Sequence, residues 1–339
     1  MPLVKSHAPS GLPDAPRVRI AVITTSYPRF HGDPSGHFVR SEVQSLVREG
    51  HDVVVCCAGR GTCLDPGVTV EWCEDSGLFG WPGALSRLRE HPARAFGVTR
   101  FVGAAMWTLS RLGPFDRVVA HWIVPCAWPV ALSLNAPLEV VAHGSDVRLL
   151  LSWPRAWRRW LMNRLLAQGA SFRFVSSHLR DQLTSVSPAE LRLRSVVAPC
   201  PVDLDGVLGR RDARTELGVS RAERLVVLVG RLVTDKRIQV ALNAALLIPR
   251  ARVVVVGEGP EREALERQFP TAEFAGHCIR SRALRWIAAS DLLVCASRLE
   301  GAPTVIREAR ALGVPVVCAP CGDVAQWART DPGIIVCSE

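Results

Sequence analysis

The chain has 339 residues, 48% of them hydrophobic, enough to bury substantial cores and to predict two domains rather than one. Lys and Arg total 41 against 32 Asp and Glu, a formal charge of +9 that points to anionic substrates or surfaces; no basic run or base-reading motif accompanies it, so nucleic acid is not an expected partner. No run approaches the roughly 18 uncharged apolar residues of a spanning helix and no apolar signal region follows the start, which predicts a cytosolic chain or one peripheral to the inner face of a membrane.

Residues 1–16, rich in Pro, Ala and Ser, read as a disordered leader. A β-type run, RVRIAVITT, follows from Arg17 to Thr25, and a loop carrying Ser35-Gly36 leads into HFVRSEVQSLVREG. There Val39, Val43, Leu46 and Val47 share one helical face before Gly50 and the strand DVVVCC. Strand, glycine loop, helix and strand make the repeating unit of a doubly wound sheet. Between Gly59 and Gly113 only a helix-like stretch, 101–112, stands out. FDRVVAH and LEVVAH are then short strands that end in His121 and His143. In open α/β sheets ligands collect outside the carboxyl ends of strands, so both imidazoles are placed to face the crevice, the alternative being ordinary buried histidines.

Residues 152–169, SWPRAWRRWLMNRLLAQG, predict a helix capped by Ser152 and opened by Pro154. Trp153, Trp157 and Trp160 recur close to one face, extended by Leu161 and Leu165, with Arg155, Arg158, Arg159 and Arg164 on the flanks. Two readings stay open: the tryptophans face the core and the arginines water, or the helix lies on an anionic membrane surface. Two more short strands, in FRFVSSH (172–178) and SVVAPCPVD (195–203), close this half.

A second α/β pattern starts near Arg224. LVVLVGRLVTDKR puts Gly230-Arg231 at a strand end with Lys236 five residues on. Apart from Lys5 and Lys236 every cation in the chain is arginine, so a lysine inside a folded segment hints at a need for an ammonium. VVVVGEGPEREALE lacks the third glycine of a dinucleotide fingerprint, because Arg262 occupies its place. Asp291 to Ala296 reads as a strand and Pro303 to Leu312 as a helix, stopped by Gly313 and Pro315. Unpaired amides at that helix mouth, beside Gly301 and Ala302, make an anion site. Glu308 lies roughly 7 to 8 Å further along the axis. Cys318 and Cys321 form one C-x-x-C, a redox pair or a coincidence at a strand end; zinc would need a second ligand pair.

Glu300 and Glu308, seven residues apart in EGAPTVIREA, resemble the Glu-x7-Glu motif of retaining glycosyltransferases of family 4. The order of the other segments agrees with that resemblance over roughly 17–337. His143-Gly144-Ser145-Asp146 is similar to the family's His-Gly-x-Asp, Gly230-Arg231 with Lys236 to its Gly-Arg-Leu-x-x-x-Lys-Gly, and Ser35-Gly36 to the loop after its first strand. The fold implied is α/β, with two Rossmann-like doubly wound domains facing across a cleft (GT-B): an acceptor-side domain over 17–200 and a nucleotide-sugar domain over 201–339. That domain stops after GIIVC, so the helices that return to the first domain in family members are expected to be missing.

The activity implied is metal-independent transfer of a hexose-type sugar, with retention, from a nucleotide-diphosphate sugar to a glycan, lipid or small-molecule acceptor, with no cofactor. Arg231, Lys236 and the helix mouth, Gly301, Ala302, Pro303, Thr304 and Val305, would meet the leaving diphosphate, with Gly36 and Gly230 beside it. Glu308 would hold the ribose, Glu300 and His143 would position the sugar, and His121 and Asp146 are acceptor-side candidates. A nucleotide-sugar epimerase on the same plan and a non-catalytic nucleotide-sugar-binding protein are the alternatives.

Overall fold

The computed structural model describes residues 17–63, 65–80, 83–204 and 206–337; the expected leader lies outside them. Two wholly parallel sheets organise the chain. The first is built from β1 (Arg19–Thr24), β2 (Asp52–Ala58), β3 (Val68–Cys73), β4 (Arg117–His121), β5 (Leu138–Ala142), β6 (Ser171–Phe174) and β7 (Ser195–Val197). Its order is β3-β2-β1-β4-β5-β6-β7. The second comprises β8 (Arg224–Val229), β9 (Ala251–Val256), β10 (Glu273–Gly276), β11 (Leu292–Cys295), β12 (Val316–Cys318) and β13 (Ile334–Val336), ordered β10-β9-β8-β11-β12-β13. Each order reverses beside its first strand, as in a Rossmann sheet, and leaves a crevice at the carboxyl ends of the strands on either side of the reversal.

Helices cover both faces of such a sheet, so its central strands are buried on both sides and read as continuous apolar runs. In β1 and β2 every residue after the first is buried, from Ile20 to Thr24 and from Val53 to Ala58. The first core gathers around β1, β2, β4, β5 and β6, while smaller clusters flank the second sheet.

The expected helix after β1 runs from His37 to Arg48 and buries Val39, Val43 and Leu46, while Val47 is only half-buried. The stretch expected over 101–112 is a longer helix, Phe96–Leu112. The 152–169 prediction needs correction, because two helices meet there. Ser145–Ser152 ends where a cap was expected, with the Ser152 hydroxyl donating back to the Leu149 carbonyl at 2.7 Å. Arg155–Ala167 then starts behind Pro154. Leu161 and Leu165 are buried with Arg158, while Trp157 and Trp160 are 68% and 54% exposed, so the leucines do not extend the tryptophan face. Among the described residues no helix is long and apolar enough to cross a membrane.

The two domains are held together by polar contacts at the crevice. Asp323 accepts from the Ser177 amide (2.5 Å), the Ser177 hydroxyl (2.8 Å) and the His178 amide (3.0 Å), placing a carboxylate from the second domain at the N-terminus of the Ser177–Thr184 helix of the first. The Arg280 amide donates to the Gly32 carbonyl at 3.1 Å, and Arg307 donates to the Cys200 carbonyl at 2.7 Å.

Candidate active site

On the second-domain side the site begins where β8 and β9 end. A Cβ at Gly257 would stand 1.9 Å from the Gly230 carbonyl oxygen, and one at Gly259 2.3 Å from that of Leu232. Only glycine lets the two loops lie together, so this pair serves packing of the Gly230-Arg231 turn. Arg237, where the resembled motif has glycine, holds a left-handed backbone with φ 50° and ψ 44°. That turn aims Lys236 at Glu300, and the ammonium and carboxylate form a salt bridge with both side chains largely out of water. Arg231 is exposed, its guanidinium 3.8 Å from where a side chain on Gly83 of the first domain would begin.

Glu300 is fixed by its neighbour Gly301, which is wedged between the domains. A Cβ there would meet the His143 carbonyl oxygen at 2.9 Å and Val175 at 2.8 Å, and one at Gly322 would meet the Gly301 carbonyl at 2.3 Å. The loop continues through Ala302, packed on the first core, to Pro303, the cap residue of the helix Thr304–Ala311. No side chain caps that helix, so its first amides are open to an anion. Val305 packs toward the second core, which leaves its backbone as the part it can offer a ligand.

Glu308 is buried. Its carboxylate accepts from Arg280 at 2.6 Å and has His37 Nε2 at 3.5 Å, while Arg280 also donates to the Asp203 carbonyl at 3.1 Å. Burial alone would raise this carboxyl, but the His37 and Arg280 contacts outweigh it and hold it at about 2. It is therefore ionised throughout the neutral range. Gly36 supplies the turn before His37: its φ is 65°, and a Cβ would stand 2.4 Å from the Ser26 carbonyl. Glu308 and the Gly36-His37 turn thus meet across the domain boundary.

Under Gly301 lies the histidine pair. His121 Nδ1 and His143 Nε2 are 2.9 Å apart with their rings stacked at 17°, and His143 is flanked by Phe38 and Trp122 at centroid distances of 5.0 and 4.7 Å. Burial first, then the Arg173 charge, lowers His121 to about 3; burial and the His121 neighbour lower His143 in the same direction. Both imidazoles are neutral near pH 7, and with Nε2 of His143 engaged by His121, Nδ1 is the nitrogen His143 can offer a ligand without charge. Trp122 holds a φ of 73°, rare for so bulky a residue, and donates to the Ser145 hydroxyl at 3.2 Å.

Two acceptor-side candidates take different places from those expected. His121 is fully buried and touches His143, so it orients that imidazole and does not line the crevice. Asp146, 3% exposed, accepts from the amides of Ile123 (3.0 Å), His143 (3.1 Å), Gly144 (2.9 Å) and Val147 (3.0 Å), so it clamps the loop rather than facing an acceptor. Arg280, His37, Asp323 and Trp122 were not read from the sequence, because no motif carries them and only the docking of the two domains brings them to the site.

One Asp-x-Asp triplet, Asp203-Leu204-Asp205, occurs in the linker, and Asp205 lies outside the described residues. Among the described residues one group has metal-ligating atoms within 4.8 Å of one another, His121, His143 and Cys200. It fits a cation poorly: the histidines are bonded to each other, the Arg173 guanidinium adjoins it, and burial pushes the Cys200 thiol up. Cys318 and Cys321 are likewise buried free thiols pushed up to about 12 by burial, the opposite of a reactive redox pair.

Comparison with known proteins agrees with this arrangement. The profile described as Glycosyltransferase Family 4 matches residues 35–205, and the one described as Glycosyl transferases group 1 matches 223–339. TuaC of Bacillus subtilis (strain 168), a candidate glycosyltransferase of teichuronic acid biosynthesis, is 27% identical over 337 residues, covering 91% of this chain and 82% of its own. Further curated relatives are spanned over 35% to 60% of their own length. Sucrose-phosphate synthase from Thermosynechococcus elongatus superposes with a TM-score of 0.72 at 18% identity, covering 94% of this chain and 86% of that one. The Anabaena protein HepE in complex with UDP and glucose gives 0.66 at 20% identity, covering 95% and 86%. Both likenesses concern the fold. The chain belongs to glycosyltransferase family 4 and is a glycosyltransferase of the GT-B fold.

Proposed function

We propose that this chain transfers a hexose, with retention and without a metal, from a nucleotide-diphosphate sugar to a glycan, lipid or small-molecule acceptor. The observation that carries the reading is one juxtaposition: the Lys236–Glu300 pair, the uncapped helix mouth at Thr304 and the neutral His143 converge around Gly301. A departing diphosphate needs cations and aligned amides, and Arg231, Lys236 and the helix mouth supply both where a metal would otherwise serve. Lys236 would exchange its contact with Glu300 for phosphate oxygens, freeing that carboxylate to accept from sugar hydroxyls opposite His143. The ionised Glu308 would accept from the ribose hydroxyls. Retention rests on family likeness, as does the choice of UDP as the first donor to try, since HepE is seen with UDP and glucose.

The experiment is hydrolysis of UDP-, GDP- and ADP-sugars without acceptor, with and without EDTA, alongside thermal melting, because a ligand that binds only the folded state raises its stability. Hydrolysis of one donor, unchanged by EDTA, is expected. Activity lost to EDTA and restored by manganese would sink the metal-free mechanism, and C4 epimerisation of the sugar without transfer would select the epimerase.

The acceptor reading extends to the membrane. Trp157 is exposed and Trp160 half-exposed on the Arg155–Ala167 helix, Trp160 lying edge-to-face on Trp128; indoles so placed can sit at headgroup level, and a lipid-linked acceptor would bring the +9 chain to an anionic surface on the cytoplasmic side.

A further inference from the structure

A largely buried carboxylate stands behind the histidine pair. His121, Val141 and Arg173 are register partners across β4, β5 and β6, and Glu139 lies two residues before Val141, so all four present one face of the sheet. The His37–Arg48 helix lays Glu42 against that face, where its Oε1 pairs with Arg173 Nη2. Arg173 Nε donates to Glu139 at 2.6 Å, and Arg117 pairs with the other oxygen of Glu139. The second oxygen of Glu42 is different. Oε2 is buried without a hydrogen-bond partner, and so is His121 Nε2, 4.0 Å away. Two orphaned polar atoms that face each other in a buried site are costly, and closing the gap by about 1 Å would join them in a hydrogen bond. Cys200 adjoins Glu42 and Arg173 here; its thiol, pushed up by burial, is a weak donor and the one rival for that oxygen among these neighbours.

A neutral imidazole has one N–H and one lone pair, so the partner of one nitrogen decides the role of the other. A carboxylate only accepts, and beside Glu42 the proton of His121 therefore belongs on Nε2 and its lone pair on Nδ1. Across the 2.9 Å contact His143 Nε2 must then be the donor. That leaves the lone pair of His143 on Nδ1, the nitrogen it can offer a ligand. A donor in the place of Glu42 would reverse every step and put the proton on His143 Nδ1. The Arg173 charge opposes a second proton on His121, so the chain of contacts carries no net charge and sets only which atom holds a hydrogen.

We propose that Glu42 is a positioning residue: acting through His121, it holds His143 as the Nε2–H tautomer, so that Nδ1 accepts a hydrogen bond from a hydroxyl of the transferred sugar. The inference rests on the transferase reading above for the identity of that hydroxyl, and not for the tautomer.

The test is proton–nitrogen NMR of the folded chain with ring-labelled histidine, which reads the tautomer with no donor present; the His143 signals are identified by their loss in His143→Gln. His143 should be protonated on Nε2 in the wild type. Glu42→Gln, which can turn an amide N–H toward His121, should move that proton to Nδ1, and Cys200→Ala should leave it on Nε2. Hydrolysis of UDP-glucose should fall about tenfold in Glu42→Gln, the scale of one hydrogen bond, with part of the loss recovered in Glu42→Asp. His143 protonated on Nδ1 in the wild type would overturn the inference, whether or not Glu42→Gln folds. An unchanged tautomer in folded Glu42→Gln would do the same, and a proton that moves in Cys200→Ala would give the role to the thiol and take it from Glu42. The expected tautomers in a chain that hydrolyses none of the UDP-, GDP- and ADP-sugars would uphold the role of Glu42 and sink the transferase reading alone.

Discussion

The two sides of the crevice handle polar groups in opposite ways. On the second domain, Lys236, Glu300 and the amides at Thr304 are paired with one another or left open, and a ligand can take over their contacts. On the first, His121 and Asp146 are buried, His121 with Nδ1 against His143 and Asp146 with its carboxylate taking four backbone amides, so their contacts fix geometry inside the domain. In the proposed reaction, exchangeable charge suits a diphosphate that arrives with one sugar and leaves without it. A locked floor suits the group that must hold that sugar in one orientation.

The sharpest break of this contrast is Asp146→Ala. It strands four backbone amides at once and should cost about 3 kcal/mol of stability, measured by denaturant unfolding. A loss comparable to that of an exposed residue would mean the loop holds without its clamp.

The next effect is on stability against pH. The His121 imidazole titrates at about 3 in the folded chain and near 6.5 unfolded, so below 6.5 the unfolded chain takes up the proton first. Stability is then fully present above 6.5 and falls as pH drops, by about 2 kcal/mol between 6.5 and 4.5, before Glu308, held at about 2, begins to contribute in the same direction. Equilibrium unfolding across that window should show the slope in the wild type and a shallower one in His121→Gln, where the His143 imidazole, lowered by burial in the same direction, still contributes. An unchanged slope would assign it to other groups.

Catalytic variants then separate the two sides. Lys236→Ala should lower kcat more than tenfold, about 1.4 kcal/mol of barrier, in a variant that remains folded. Glu308→Ala should act mainly on the KM for donor, because ribose contacts are the same in ground and transition states. Wild-type turnover in Lys236→Ala would remove that ammonium from the leaving-group site. The smallest effect belongs to Arg237→Gly: relief of a left-handed arginine, offset by the freedom glycine gains in the unfolded chain, should change stability by under about 1 kcal/mol. A larger loss would show that the Arg237 side chain, not its backbone, matters.

Much of the second domain was legible because its signals are local. The 303–312 helix prediction came within a residue of Thr304–Ala311, since proline and glycine punctuate the chain whatever surrounds them. Glu300, Lys236 and the helix mouth sit within single loops. The tryptophan helix was harder to read, because the face a residue takes depends on the rotation of the helix against its neighbours. Spacing grouped Trp157 with Leu161 and Leu165, whereas packing buried the leucines with Arg158 and left the indole outside.

By itself the sequence marked an α/β plan, through short apolar strands that alternate with loops and amphipathic helices, and it marked the loops at several strand ends. Tertiary structure alone decided that His37 and Arg280 would close on Glu308, that Gly301 would wedge against His143, and that Arg158 and Ser187 would share one cavity. The physical reason is distance along the chain: Glu308 lies in a different domain from His37, and no local periodicity records which surfaces will meet once two sheets have folded.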